Sequence, residues 1–253
     1  MDLGLAGKNA VITGSTRGIG RAIANLLADE GVNLAICARN QAEVDGAVAD
    51  LSARGVKVTG AVVDVADKAA YQEWITSAGE ALGGIDIFVP NVSAGGGNMG
   101  EEGWEANFNI DLLGTTRGIE AAMPFLEKSS AASIVIISST AGVETFMGPQ
   151  PYNAIKGALV IHAKQLSQAL APAGIRVNCV SPGPIYIEGG AWEFIKDNMT
   201  ELYDATLADI PSGRFGSAEE VANAVAFIAS PAASLITGVN LVADGGFTKR
   251  VQL

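Results

Sequence analysis

The sequence predicts an α/β fold: a single doubly wound domain over residues 1–253, with a seven-stranded parallel sheet covered by helices on both faces. Three observations carry this expectation. Short β-rich apolar runs alternate along the chain with longer stretches of helical periodicity. The runs are apolar throughout rather than alternating, as strands buried on both faces must be. A chain of 253 residues, 49% hydrophobic and 17% charged, suits one large core rather than two small ones.

The first strand, expected over 9–13, runs into V-I-T-G-S-T-R-G-I-G, and a helix is expected over 19–30. Gly14, Gly18 and Gly20 follow the spacing G-x3-G-x-G rather than G-x-G-x-x-G. The physics is similar. Glycines permit a tight turn and let the backbone approach a pyrophosphate, and the helix N-terminus offers unpaired N–H groups. The second strand, 32–37, runs into A-I-C-A-R-N, followed by a helix over 41–54. An acid at this strand end favours a free ribose 2′-hydroxyl, whereas a basic residue accommodates a 2′-phosphate. Ala38 stands where an acid would be, Arg39 follows, and Arg17 in the glycine loop is placed for the same phosphate. Two guanidiniums predict NADP(H) in preference to NAD(H).

The third strand, 56–62, leads to V-V-D-V-A-D. Asp64 is placed to accept from an adenine amino group, with Val65 against the ring. Asp67 is the better placed cap for the helix over 68–82. The fourth strand, 85–89, precedes a long helix over 102–128 whose Gly114 and Gly118 predict close packing or a kink. The fifth strand, 133–138, ends in I-V-I-I-S-S-T-A-G, and a helix over 151–173 opens with P-Y-N-A-I-K-G. Tyr152 and Lys156 then share one helical face. A phenol alone is a poor base at neutral pH; an adjacent ammonium favours the phenolate. A tyrosine so placed can pass a proton to or from an alcohol oxygen.

The sixth strand, 175–180, is followed by the one segment that breaks the rhythm. Residues 182–216 form an insertion that mixes apolar and acidic residues and starts at the carboxyl edge of the sheet, where ligands of such folds bind. It reads as a helical lid over a pocket or as a subunit contact. A helix over 218–229 and a strand over 238–242 complete the series.

Sixteen basic residues against 27 acidic ones give a net charge of −11, which argues against nucleic acid or anionic membrane as partners. Cys37 and Cys179 each lie in apolar runs and read as buried free thiols of a reducing compartment, hence a cytoplasmic protein. The single histidine, His162, falls on the helix of Tyr152 and reads as structural. No Cys/His cluster has metal-ligand spacing, so no metal is expected. The N-terminal M-D-L-G-L-A-G-K lacks a basic leader region, and no run has the length of a membrane span.

Together these residues closely resemble the short-chain dehydrogenase/reductase family, over essentially the full length from G-K-N-A-V-I-T-G to V-A-D-G-G. The most specific parts are T-G-S-T-R-G-I-G, the serine-to-Y-N-A-I-K block and I-R-V-N-C-V-S-P-G-P-I. The resemblance implies a Rossmann fold and hydride transfer between a nicotinamide and a carbonyl/alcohol pair. It implies that Ser139 polarises the carbonyl and that Tyr152 is the general acid/base. Lys156 would favour the phenolate and hydrogen-bond the nicotinamide ribose. Thr13, Gly14, Arg17, Gly18, Ile19, Gly20, Arg39, Asp64, Val65, Asn91, Tyr152, Lys156, Pro182, Gly183 and Ile185 would hold the cofactor. A homotetramer is implied too, with 102–128, 151–173 or the C-terminal F-T-K-R-V-Q-L as candidate faces.

Three positions depart from the family pattern. Pro90-Asn91-Val92-Ser93 stands where N-N-A-G is usual. Counting from Trp104, the asparagine that supports a water chain to the lysine corresponds to Asp111, which adds a negative charge and loses an amide donor. Ile187 stands where a threonine often contacts the carboxamide.

The apolar lid points to a small apolar, cyclic or aromatic carbonyl compound, with Val143, Glu144, Phe146, Tyr186, Trp192 and Phe194 as candidate walls. A 3-oxoacyl thioester on acyl carrier protein ranks lower, because the segments beside the site carry almost no basic residues to dock an acidic carrier. A non-catalytic NADP-binding scaffold or sensor is the further alternative, raised by Asp111 and the altered N-N-A-G block.

Overall fold

The computed structural model describes residues 2–251. Seven strands form one parallel sheet in the order β3-β2-β1-β4-β5-β6-β7. They are β1 Asn9–Thr13, β2 Asn33–Ala38, β3 Val58–Val62, β4 Ile87–Val89, β5 Ser133–Ile137, β6 Arg176–Pro182 and β7 Asn240–Ala243. The order reverses between β1 and β4, which opens a crevice at their carboxyl ends.

Helices α1 Gly18–Asp29, α2 Gln41–Ser52 and α3 Lys68–Leu82 follow the first three strands. Later come α4 Gly100–Asn107, α5 Gly114–Leu126, α6 Pro151–Leu170, α7 Ala191–Asn198, α8 Thr200–Asp209 and α9 Ala218–Ala229. One face of the sheet is covered by α1 packed on α9, and its core includes Ile12, Ile23, Leu27, Leu34 and Val225. The other face carries α3, α5 and α6 over Val11, Tyr71, Phe88, Ile134 and Leu159. The two-sided burial is why the central strands read as unbroken apolar runs.

Two expectations are corrected. β3 and β7 are the edge strands and are only partly buried; Val62, for example, is 47% exposed. The expected helix 102–128 is two helices joined by a π-helical turn, Phe108–Leu113. Gly118 does mark close packing: a Cβ there would lie 2.3 Å from the Tyr71 hydroxyl and 2.7 Å from the Phe88 ring. Pro124 sits inside α5, which still runs to Leu126. Insertion 182–216 supplies α7 and α8, and Asp67 caps α3 by accepting from Ala69 and Ala70 N–H. The candidate C-terminal subunit face, 247–253, is only partly seen, since 252 and 253 lie outside the described residues.

Candidate active site

The glycine loop is clasped to the end of β4. Asn91 N–H donates to Thr13 Oγ1 at 2.9 Å, and Asn91 Nδ2 donates to the Thr13 and Gly14 carbonyls at 3.0 and 3.1 Å. Gly20 is a close-approach position, because a Cβ would fall 2.2 Å from the Gly14 carbonyl oxygen. The N-cap of α1 is Arg17, whose side chain makes no capping bond, so the first-turn N–H groups face the crevice uncapped.

A cleft of about 720 Å³ opens in front of this loop. Of the residues expected to hold a dinucleotide, Gly14, Arg17, Gly18, Arg39, Asp64, Val65 and Asn91 line it. Thr13, Ile19, Gly20, Pro182, Gly183 and Ile185 do not; Thr13, Gly20, Pro182 and Ile185 are buried. Ile185 pairs instead with Gly216, in the only strand-like bridge outside the sheet among the described residues. Ile187 reaches across toward the loop and lies 3.5 Å from the Cβ position of Gly18. Thr16, Asn40 and Glu43 line the cleft as well and were not singled out in the sequence. Thr16 Oγ1 donates to Glu43 Oε2 at 2.9 Å, a contact between the glycine loop and the first turn of α2 that no local spacing signals. Asp64 Oδ1 accepts from Ala66 N–H at 2.9 Å, within the turn that lines the cleft. The uncapped helix start, the glycine cradle and two exposed guanidiniums fit a dinucleotide phosphate.

Ser139, Tyr152 and Lys156 lie beside that cleft rather than in its lining. Ser139 lies two residues beyond β5 and caps the short 3₁₀ turn Thr140–Gly142, its Oγ accepting from Ala141 N–H at 3.1 Å. That turn rests directly on α6, where a Cβ on Gly142 would meet Gly157 N and the Lys156 carbonyl carbon at 2.6 Å. Ser138 Oγ ties the same junction by donating to the Lys156 carbonyl at 2.8 Å. Tyr152 is half-buried and the Lys156 ammonium stands 5.5 Å from the centre of its ring.

Lys156 is 2% exposed and donates to the Ile137 carbonyl at 3.1 Å. Its Nζ also stands 3.0 Å from Asp111 Oδ1. Burial pulls this ammonium down, but Asp111 and Tyr152 outweigh burial and leave it raised. The contact meets the distance of a charge-assisted bond without a hydrogen-bonding angle, so we count it as an ion pair. The π turn places Asp111 in the interior, 1% exposed.

The candidate substrate walls are not all brought together. Val143 is half-buried after the serine turn. Glu144 is engaged by the C-terminal segment, its Oε2 accepting from Lys249 N–H at 2.9 Å and Arg250 N–H at 3.3 Å. Trp192 packs 4.8 Å from Phe215 and 6.2 Å from Phe146, ring centre to ring centre. Tyr186 OH donates to Glu193 Oε1 at 3.2 Å, and Phe194 points outward, 63% exposed. A cavity of about 150 Å³ lies next to the serine turn, between Thr140, Phe146, Asp209 and Phe247.

A glycine-loop crevice beside a serine, tyrosine and buried lysine defines a nicotinamide-dependent oxidoreductase of carbonyl and alcohol groups. A family model described as enoyl-(acyl carrier protein) reductase matches residues 14–248. Isoepoxydon dehydrogenase of Penicillium expansum is 39% identical over 247 residues, covering 96% of this chain and 95% of that protein. Dehydrogenase/reductase SDR family member 4 of Homo sapiens is 37% identical over 252 residues, covering 98% and 90%. L-sorbose reductase from Gluconobacter frateurii, solved with NADPH and L-sorbose, superposes with a TM-score of 0.90 at 31% identity, covering 99% of this chain and 100% of that one. The chain belongs to the short-chain dehydrogenase/reductase family, and it is an oxidoreductase acting on CH–OH groups.

Proposed function

We propose that this chain is an NADP(H)-preferring reductase and dehydrogenase for small cyclic, aromatic or otherwise apolar carbonyl compounds and their secondary alcohols. The observation that carries the reading is the Lys156 ammonium, buried and paired with Asp111, 5.5 Å from the ring centre of Tyr152, on a helix whose first turns pack against the turn that Ser139 caps. The nicotinamide supplies or accepts the hydride when bound. Ser139 Oγ accepts locally from Ala141, so its own proton is free to hold the substrate oxygen. Tyr152 gives its hydroxyl proton to that oxygen in reduction and takes it back in oxidation. Gly14, Gly18 and Arg17 hold the phosphates, and Lys156 steadies the ribose.

The preference for NADP(H) rests on Arg17 and Arg39 facing one cleft, with Ala38 in place of an acid. A neighbouring L-sorbose reductase and a blue fluorescent protein from a metagenomic library were both solved with NADPH, at 31% and 29% identity. Insertion 182–216, anchored by its aromatic side chains, serves as the lid. That insertion carries six carboxylates against Lys196 and Arg214, which disfavours an acidic carrier protein at the mouth. We place the working molecule as a homotetramer in the cytoplasm; no described helix is long and apolar enough to cross a membrane.

The test is an NADPH-coupled assay over ketones, cyclic alcohols and acetoacetyl thioesters, with wild type and Tyr152→Phe in parallel. Turnover of the small carbonyls, reduced roughly 10²–10⁴-fold by the substitution, is expected. Activity confined to the thioesters would reassign the substrate. A wild type no faster than Tyr152→Phe on the whole panel would leave a nucleotide-binding scaffold.

A further inference from the structure

Asp111 places a second buried charge beside the group that moves the proton. Its two oxygens have different partners. Oδ1 lies 3.0 Å from Lys156 Nζ, and Oδ2 accepts from Ala94 N–H at 2.8 Å. The second bond fixes the carboxylate to the segment that follows β4. That segment continues to Gly97, whose N–H donates to Gln150 Oε1 at 2.9 Å, two residues before Tyr152. The carboxylate is therefore held from two sides, and the lysine is held between it and the Ile137 carbonyl.

The charge consequence follows from burial. An ammonium alone in this interior would exert its full field on the phenol of Tyr152, whose ring centre is 5.5 Å away. A carboxylate at 3.0 Å cancels much of that field while keeping the ammonium protonated. The other titratable groups bearing on Lys156 are Tyr152 on its own helix and Cys179 from β6. Burial pushes the Cys179 thiol up to about 12, so it stays neutral and contributes no charge near neutral pH. From β5 the lysine meets only a carbonyl.

We propose that Asp111 is a positioning residue that balances the charge of Lys156 and thereby sets the pH range in which Tyr152 accepts a proton. The assignment rests on the reading of Tyr152 as the acid/base group. With the carboxylate present, the field of the ammonium at the phenol is partly cancelled, and alcohol oxidation is expected to need a higher pH than without it. With a neutral side chain of the same shape, the ammonium acts on the phenol unopposed.

The measurement is kcat/KM for alcohol oxidation against pH, for wild type and Asp111→Asn. The acid limb of the variant is expected to move to lower pH. Where the wild type runs at a tenth of its plateau, the variant should reach roughly three- to tenfold that fraction of its own. Asp111→Glu, which keeps the charge, should return the limb toward the wild-type position. A purely structural role would lower the melting temperature and leave the limb where it was. An unmoved limb, or one displaced to higher pH, overturns the proposal. Should Asp111→Asn fail to fold, Asp111→Ser removes the same charge and carries the same test. Tyr152→Phe separates the two readings. If it retains wild-type turnover, the acid/base assignment itself fails. If it abolishes turnover while the Asp111→Asn limb overlays the wild type, only the role of Asp111 fails.

Discussion

Arg17 and Arg39 reach the same cleft from loops that follow different strands, and both are exposed side chains. Charge-assisted bonds to a phosphate contribute about 1.5–3 kcal/mol each, so losing one should weaken binding roughly 10- to 100-fold. Arg39→Ala is expected to lower NADPH affinity by that factor and to leave NADH within about twofold. Fluorescence titration with both nucleotides checks it, and equal losses for the two would remove Arg39 from phosphate recognition. Residues of this kind were legible because each is announced by its neighbours in sequence: a strand, a turn, then a basic or glycine position. The serine, the tyrosine and the lysine were legible for the same reason. What could not be read was contact across elements. Asp111 was visible as an acid in an unusual place, but its inward direction depends on the π turn. Thr16 and Glu43 meet across 27 positions of chain, and nothing in either local pattern points to the other. Glu144 lines the cavity beside the serine turn, but no local pattern says that the C-terminal segment binds one of its oxygens.

At the scale of elements, the insertion is fastened by aromatic rings as well as by hydrogen bonds, such as Ser212 N–H to the Gly245 carbonyl at 3.1 Å and Arg214 Nη1 to Glu220 Oε2 at 2.8 Å. Phe146, from the loop after Ser139, stands 6.2 Å from Trp192 of α7 and 5.4 Å from Phe247. Phe215 continues the cluster to Tyr203 of α8 at 4.6 Å. Aromatic pairs contribute about 0.5–1.5 kcal/mol beyond the area they bury. Phe146→Ala should therefore raise KM for the carbonyl substrate several-fold, with the dissociation constant of NADPH unchanged. Steady-state kinetics paired with nucleotide titration tests this, and a matching loss of nucleotide affinity would place the ring in the cofactor site instead. A different outcome is expected at the α3–α5 contact. Gly118→Ala puts a Cβ into the Tyr71 hydroxyl, and such overpacking costs about 1–3 kcal/mol. Thermal unfolding of the apo-protein should show the loss as a lower Tm. Most helices and strands could be read from period and caps, since those signals are local. The break at Phe108–Leu113 was signalled only by Gly114 at its end, and a glycine does not say that an i→i+5 turn precedes it. The half-exposure of β3 and β7 was hidden as well, because edge position belongs to the order of the sheet and not to either strand.

For the whole molecule, the question is what covers the apolar surface left by a well-filled core. Trp104 of α4 and Phe108 of the π turn are 49% and 45% exposed, and Ile161 of α6 is 63% exposed. α4 and α6 pack against each other, so these exposed side chains lie on neighbouring helices. A chain with a net charge of −11 resists self-association at long range, so any stable contact between copies must come from apolar burial at short range. The two facts together favour a contact made by these helices over one made by the acidic insertion. Light scattering of the wild type is expected to give four times the 25.8 kDa chain mass. Ile161→Glu should yield a smaller species at the same concentration, because it places a carboxylate in the apolar contact and adds to the repulsion. Raising the salt screens the long-range repulsion but leaves the desolvation of that carboxylate, so it should restore the assembly only in part. A wild type that scatters as a single chain would remove the tetramer. A variant that stays as large as the wild type would move the contact to another face.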